Sequence, residues 1–225
     1  MSNIKIPLRE LNYAKTKYNI LDSFLKFIKV KSYEDITITE ICDDVPISRG
    51  TFFNYYPSKE HIYTFFGWNF CAGLYVDLKE EKSKLNSIDK IKYVFEYTIN
   101  QDEKYEHQFS SFISHILRRD LTIINEVSYT KADFLYKYPD KEHLIIDSEN
   151  FKIPTVAEIL LNLLEEGINR EELKSDLDIK KTMWSLLSIY FSPPIIYKFT
   201  RQESSLNEVY DALLNDILKP LLITD

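Results

Sequence analysis

The sequence predicts an all-α protein, and three observations carry that reading. Apolar residues recur at steps of three and four almost everywhere rather than at steps of two. Glycine is scarce, with only Gly50, Gly67, Gly73 and Gly167 in 225 residues. Thr37 followed three positions later by Glu40 stands before an apolar run, and that pattern starts a helix because hydroxyl and carboxylate satisfy free backbone N–H groups at the first turn.

A first helix follows from the stripe Ile20, Leu21, Phe24, Leu25 and Ile28, and Tyr33-Glu34-Asp35 marks the loop after it. Thr37 and Glu40 form a capping box, so a second helix starts at Thr37. Pro46 cannot continue it, which places a turn over Val45 to Ile47, and Ser48 is a good N-cap for a third helix from Arg49 to Tyr56. Pro57-Ser58 ends that helix, and a long connecting helix runs to about Lys79 with Ile62, Phe65, Phe66, Phe70 and Leu74 on its inner side. Further helices are expected at Ile88–Gln101, Tyr105–Leu117, Leu121 to about Tyr136, and Thr155–Asn169, the last opened by Pro154. Residues 137–153, with Tyr138-Pro139-Asp140 and Asp147-Ser148, read as loop. A helix bearing Ile179, Met183, Trp184, Leu187, Tyr190 and Phe191 precedes a final one with Leu206, Val209, Tyr210, Leu213, Leu214, Ile217, Leu218 and Leu221 in register.

Residues 36–60, ITITEICDDVPISRGTFFNYYPSKE, therefore read as helix, turn, helix and support helix. The run T-x-x-E-I, a short turn and S-R-G-T-F-F-N-Y-Y-P-S-K-E closely resembles the DNA-binding signature of the TetR (tetracycline repressor) family of transcriptional regulators. The similarity covers about residues 11–66, with a weaker match at residues 163–180. It implies a helix-turn-helix domain over residues 1–57 and a helical ligand-binding and dimerisation domain over residues 58–225. It also implies a ligand-responsive regulator, a repressor by the family's commoner habit, that binds a palindromic double-stranded DNA operator as a homodimer.

In such a dimer each second helix enters a major groove, the two copies roughly 34 to 36 Å apart. Arg49 is the base-reading candidate, because its planar fork can bond guanine O6 and N7 together. Gly50 lets the backbone approach DNA, Asn54 can pair with adenine or a phosphate, and Thr51 can contact either. Ser48, Thr37, Thr39, Tyr55 and Lys59 match family positions that hold phosphates. Phe53 stands where the family most often has tyrosine, leaving apolar contact with a thymine methyl. Pro46 stands where glycine is common, and proline is expected to forbid the positive φ that glycine allows. Phe52, Tyr56, Ile41 and Ile47 read as core.

For the implied effector, a small apolar or aromatic molecule, the candidate pocket residues are Phe66, Phe70, Phe95, Phe109, Phe112, His115 and Trp184, although any one of them taken singly reads as plain core before ligand contact. The candidate dimer interface is Leu187, Tyr190, Leu206, Tyr210, Leu213, Leu214 and Ile217, where spacing alone leaves an intrachain core open and the resemblance favours pairing with a second copy.

Composition sets bounds on this reading. The formal net charge is −7, yet through residue 66 nine basic residues face eight acidic ones, so the excess of acid lies in the remainder. A nearly neutral reading head on an acidic body implies weak non-specific DNA binding. Cys42 and Cys71 lack metal or redox spacing, which points to a reducing compartment and no zinc. Met183 to Tyr197, the most apolar stretch, is short and broken by Ser192-Pro193-Pro194, so a soluble, cytoplasmic protein without membrane contact is expected. No Gly-rich phosphate loop, G-x-S-x-G elbow or metal-spaced His pair is present; no catalytic residues, cofactor or metal are expected, and an enzyme is disfavoured. The rival reading is a helical ligand-binding or interaction protein whose head has lost DNA binding through Phe53 and Pro46.

Overall fold

The computed structural model describes residues 4–104, 128–147, 149–199 and 205–223, with the side chains of 102–104 and 193–199 left aside. The expected helix 105–117 and the pocket candidates Phe109, Phe112 and His115 lie outside the described residues. The helices are α1 (Leu8–Ile28), α2 (Ile38–Asp44), α3 (Arg49–Phe53), α4 (Glu60–Lys79), α5 (Ser87–Lys104), α6 (Lys131–Lys137), α7 (Val156–Asn169), α8 (Ile179–Phe199) and α9 (Leu206–Leu218). Among the described residues the one strand-like feature is an isolated antiparallel bridge between Leu173 and Leu222.

Local chemistry sets the helix ends. Complete capping boxes open α2 at Thr37/Glu40, α6 at Thr130/Asp133, α7 at Thr155/Glu158 and α9 at Ser205/Glu208. In each the hydroxyl accepts from the N3 amide while the N3 carboxylate accepts from the cap amide. Thr155, not Pro154, is thus the cap of α7, and Pro154 stands outside the helix. The expected helix from Leu121 to Tyr136 is corrected where it can be seen: residues 128–130 are not helical, and Thr130 caps a fresh start. Ser192-Pro193-Pro194 does not stop α8, which continues to Phe199. No helix among the described residues is long and apolar enough to cross a membrane.

The chain divides into two compact units. The first comprises residues 1–76 and 114–153, and the second residues 77–113 and 154–225. In the first, α2 packs on α1 and α3, and α6 packs on α1. Its core is aromatic: Phe24, Phe52, Tyr56, Phe65 and Phe134 are wholly buried. Tyr18 lies edge-on to Phe65 at 5.2 Å between ring centres, and Tyr56 lies 5.9 Å from the same ring. Such edge contacts align the positive ring edge with the negative face of its neighbour.

In the second unit α5 packs on α7 and α9, and α8 packs on α7 and α9. Phe95 of α5 sits between the rings of Tyr190 and Tyr210, 5.6 Å and 5.4 Å away. The Tyr210 hydroxyl donates to the Tyr190 carbonyl at 2.9 Å, and Thr98 Oγ1 donates to the Tyr190 hydroxyl at 2.9 Å. Of the residues expected between two copies, Tyr190, Tyr210 and Leu214 are therefore buried inside their own chain. Trp184, Phe191 and Leu213 are instead 67%, 39% and 37% exposed.

The end of α7 is a complete Schellman turn. Glu171, at φ 58°, supplies the left-handed residue, Glu171 N–H donates to Ile168 O and Glu172 N–H donates to Gly167 O. Gly167 is required by packing, since an added Cβ would lie 2.7 Å from Leu173 Cδ1 and 3.1 Å from Ser87 Cβ. Leu173 cannot easily yield, being 1% exposed and tied by its bridge to Leu222. Alanine normally gains up to about 1 kcal/mol over glycine in a helix interior, whereas overpacking costs about 1 to 3 kcal/mol. Gly167→Ala is expected to lower stability by about 1 kcal/mol, read as a drop in the thermal midpoint by circular dichroism.

Candidate nucleic-acid interface

The reading head is built by three consecutive local devices. Thr37 Oγ1 accepts from the Glu40 amide at 3.2 Å, and Glu40 Oε2 accepts from Thr37 N–H at 2.9 Å and Thr37 Oγ1 at 2.8 Å. Ser48 Oγ then accepts from the Thr51 amide at 3.0 Å, starting α3. Helix α3 is shorter than expected, ending at Phe53, and the chain to Tyr56 continues as a turn with Tyr55 and Tyr56 amides donating to the Phe52 carbonyl.

Between the two helices the turn keeps the geometry that glycine usually supplies. Val45 is the C-cap of α2, Pro46 follows at φ 25°, and Ile47 N–H donates to Cys42 O at 3.0 Å. That long bond closes a Schellman turn, whose second bond is missing because proline has no N–H. The expectation that Pro46 would forbid a positive φ is thus corrected: the residue adopts it against the preference of its own ring, at a cost of about 1 to 3 kcal/mol of local strain.

This frame presents a consistent outer face. Thr39, Ser48, Arg49, Gly50, Phe53 and Asn54 are exposed, and Thr51 and Tyr55 are half-buried. Arg49 Nη1 reaches Thr39 Oγ1 at only 3.4 Å, a loose contact that leaves its fork available. An added Cβ on Gly50 would meet only Ser48 Oγ, at 3.8 Å, so packing inside the chain does not demand glycine there. Phe53 is 44% exposed, an apolar ring standing on an otherwise polar face. Ile41, Phe52 and Tyr56 are fully buried as expected, while Ile47 is half-buried.

Two expected phosphate contacts carry internal duties as well. Lys59 Nζ donates to Tyr33 O at 2.6 Å and Ile36 O at 2.7 Å, and lies 4.1 Å from the centre of the Tyr33 ring. Desolvation lowers its pKa from the usual lysine value. Thr37 is committed to its capping box. The Thr37 cap is legible from spacing along the chain, whereas the loop carbonyls that close over Lys59 are not. Among the pocket candidates, Phe66 and Phe70 are buried in the first unit, Phe95 is core of the second, and Trp184 is exposed. No group of three or more potential metal ligands occurs among the described residues.

Glu40 also takes a bond from the Lys31 ammonium, and this, with the Thr37 bonds, holds its pKa down to about 2 from 4.5. A carboxyl lowered in the folded state contributes stability that is complete above the unfolded value and is lost as pH falls through the folded one. Unfolding of the head is therefore expected to ease between pH 4.5 and about 2, followed by NMR of the Thr37 and Glu40 amides. Glu40→Gln should remove that part of the acid dependence. Pro46→Gly should relieve the strained turn, restore the missing bond and raise the thermal midpoint, a gain of about 1 kcal/mol after the unfolded-state entropy of glycine is charged against it.

Comparison with known proteins agrees with this architecture. No family model matches the chain. The biofilm operon icaADBC HTH-type negative transcriptional regulator IcaR of Staphylococcus epidermidis is 26% identical over 187 residues, spanning 77% of this chain and 98% of that protein. The crystal structure of Thermus thermophilus FadR, a TetR-family transcriptional repressor in complex with lauroyl-CoA, superposes with a TM-score of 0.65 at 18% identity, covering 93% of this chain and 96% of that one. Bacillus subtilis FadR in complex with stearoyl-CoA gives 0.64 at 17% identity over 91% and 98% of the two chains. The fold, from the capped reading head through the helical body, is that of the TetR-family transcriptional regulators.

Proposed function

We propose that the chain is a ligand-responsive transcriptional repressor that binds a palindromic operator as a homodimer, with residues 1–57 as reading head and 58–225 as ligand-binding and dimerisation domain. The observation that carries this reading is the exposed face of α3, where Ser48 fixes the helix start and Arg49, Gly50, Thr51 and Asn54 project without a packing role. A recognition helix meets base edges with its N-terminal residues, where Arg49 stands. Ser48, Thr37, Thr39, Tyr55 and Lys59 would orient the duplex through phosphates, and Phe53 offers its ring to a thymine methyl.

The dimer surface of this proposal is the apolar stripe that α8 and α9 leave uncovered, Trp184, Leu187 and Phe191 on one helix and Leu206, Leu213 and Ile217 on the other. Tyr190, Tyr210 and Leu214 support it from beneath. The effector would bind the DNA-incompetent state more tightly, because a ligand shifts an equilibrium only by its differential affinity. Of the candidate effector contacts, Phe66 and Phe70 are core of the first unit and Phe95 of the second, and Trp184 goes to the dimer surface in this proposal. The lauroyl-CoA and stearoyl-CoA held by the two FadR structures make a long acyl thioester the first effector to try.

Fluorescence anisotropy with duplexes from the promoter flanking the gene tests the proposal. Wild type is expected to bind one duplex selectively, and Arg49→Ala to lose about 1 to 3 kcal/mol of that discrimination. Acyl-CoA should then release the labelled duplex. Binding that ignores sequence in the wild type would instead favour a helical interaction protein whose head no longer reads DNA.

A further inference from the structure

Beside α3 runs an open groove of about 700 Å³ that neither α2 nor the turn contributes to. One wall is α1, through Arg9, Asn12 and Thr16, and the other is the recognition helix and its end, through Thr51 and Asn54. We propose that this groove seats the sugar-phosphate backbone of a DNA strand, with Arg9 as the charged contact and the Asn12 amide as a hydrogen-bond donor, the Thr16 hydroxyl being committed to the Asn12 carbonyl at 3.1 Å. The footprint of each head then extends past the bases that α3 reads. The inference rests on the DNA-binding function proposed above and adds α1 to it.

Four observations support the assignment. Arg9, Asn12 or Tyr13, and Thr16 follow one another at steps of three and four, so they share one face of α1. That face is held against α3 rather than swinging free: the Tyr13 hydroxyl donates to Asn54 O at 2.6 Å, and the Tyr13 and Tyr55 rings lie 4.4 Å apart. The lining contains one cation and no carboxylate, and beside Leu8 and the Tyr13 and Tyr55 rings it carries the Asn12 and Asn54 amides, donors that a phosphate can take. The groove is also continuous with the recognition surface, since Thr51 and Asn54 belong to both.

Among the basic residues of the head, Arg9 is the one that lines the groove. Lys17, Lys26 and Lys31 are ion-paired to Asp133, Asp44 and Glu40, and Lys59 donates to loop carbonyls. Arg9 is exposed at the groove and, unlike these, faces hydroxyls and amides.

The test measures operator affinity by anisotropy from 50 to 200 mM salt for wild type, Arg9→Ala and Arg9→Lys, with circular dichroism melts to verify folding. It then repeats the measurement on operators bearing single methylphosphonates in the flanks. Arg9→Ala is expected to weaken selective and non-selective duplexes by the same factor and to flatten the salt slope by about 0.9, the share of one phosphate. Arg9→Lys should retain the slope. One flanking methylphosphonate should cost the wild type several-fold yet leave Arg9→Ala unchanged. If Arg9→Ala keeps both affinity and slope, or if every methylphosphonate costs it as much as wild type, the groove holds no DNA while the recognition helix still does. A loss confined to one sequence, which Arg9→Lys fails to rescue, overturns backbone seating in favour of base reading. Wild-type binding without any sequence preference overturns both proposals together.

Discussion

The first unit is organised around one buried ion pair. Lys17 of α1 and Asp133 of α6, only 3% and 1% exposed, meet at 2.8 Å. Taking two charges out of water costs several kcal/mol each, and attraction offsets this only when the remaining hydrogen-bonding positions are also filled. Here Lys17 also donates to Ser128 O at 3.0 Å and lies 4.1 Å from the Phe65 ring centre. Asp133 Oδ2 additionally accepts Thr130 N–H and Thr130 Oγ1, while Asp133 Oδ1 is buried with no hydrogen-bond partner among the described residues, so the compensation is incomplete on that side. Desolvation lowers the Lys17 pKa, with Asp133 opposing that shift. Removing either partner would strand a buried charge, at a cost of about 3 to 5 kcal/mol. The pair therefore fixes where α1 can lie, and α1 in turn backs the reading head.

Asp133 serves two structures at once, as the N3 residue of the α6 capping box and as the counter-ion of Lys17. Helix α6 can start correctly only with the carboxylate that α1 needs. The surrounding hydroxyls extend the coupling: Tyr56 OH donates to Lys17 O at 3.0 Å, and the Tyr18 and Tyr129 hydroxyls share a bond of 2.9 Å. Burial raises the pKa of Tyr18, Tyr56 and Tyr129, so all three stay neutral and act as uncharged links between α1, the segment after α3 and the irregular segment leading into α6.

The same pairing reshapes the electrostatics of DNA binding. A count of basic residues in the head overstates what a phosphate would feel, because several of them are neutralised within the protein. What remains is concentrated near α1 and at Arg49. With a formal charge of −7 overall, the DNA binding proposed above would draw little on non-specific attraction and more on a few positioned contacts. That arrangement suits selective binding, since a protein with little general attraction to DNA is not diluted over competing sites.

How much of this was legible in the sequence depends on the range of the interaction. The caps at Thr37 and Ser48 and the end of α2 depend on residues within one turn, so composition and spacing sufficed to place the helix-turn-helix and the all-α class. Pro46 could not be read in the same way, because its own preference was overridden by the two helices it joins. Lys17 and Lys59 looked like surface cations, yet their partners are Asp133, 116 residues away, and carbonyls 23 and 26 residues back. Likewise the stripe on α9 was evident, but which of its members face inward was not: Tyr210 and Leu214 are claimed by Phe95 and Tyr190, whereas Leu213 remains outside. By itself the sequence determined the helical class and the helix-turn-helix with its caps at Thr37 and Ser48, because those are settled by neighbours along the chain. Only the tertiary structure decided which charges are buried, which apolar residues stay open and where the groove beside α3 lies, because each of these is a property of surfaces brought together from distant segments.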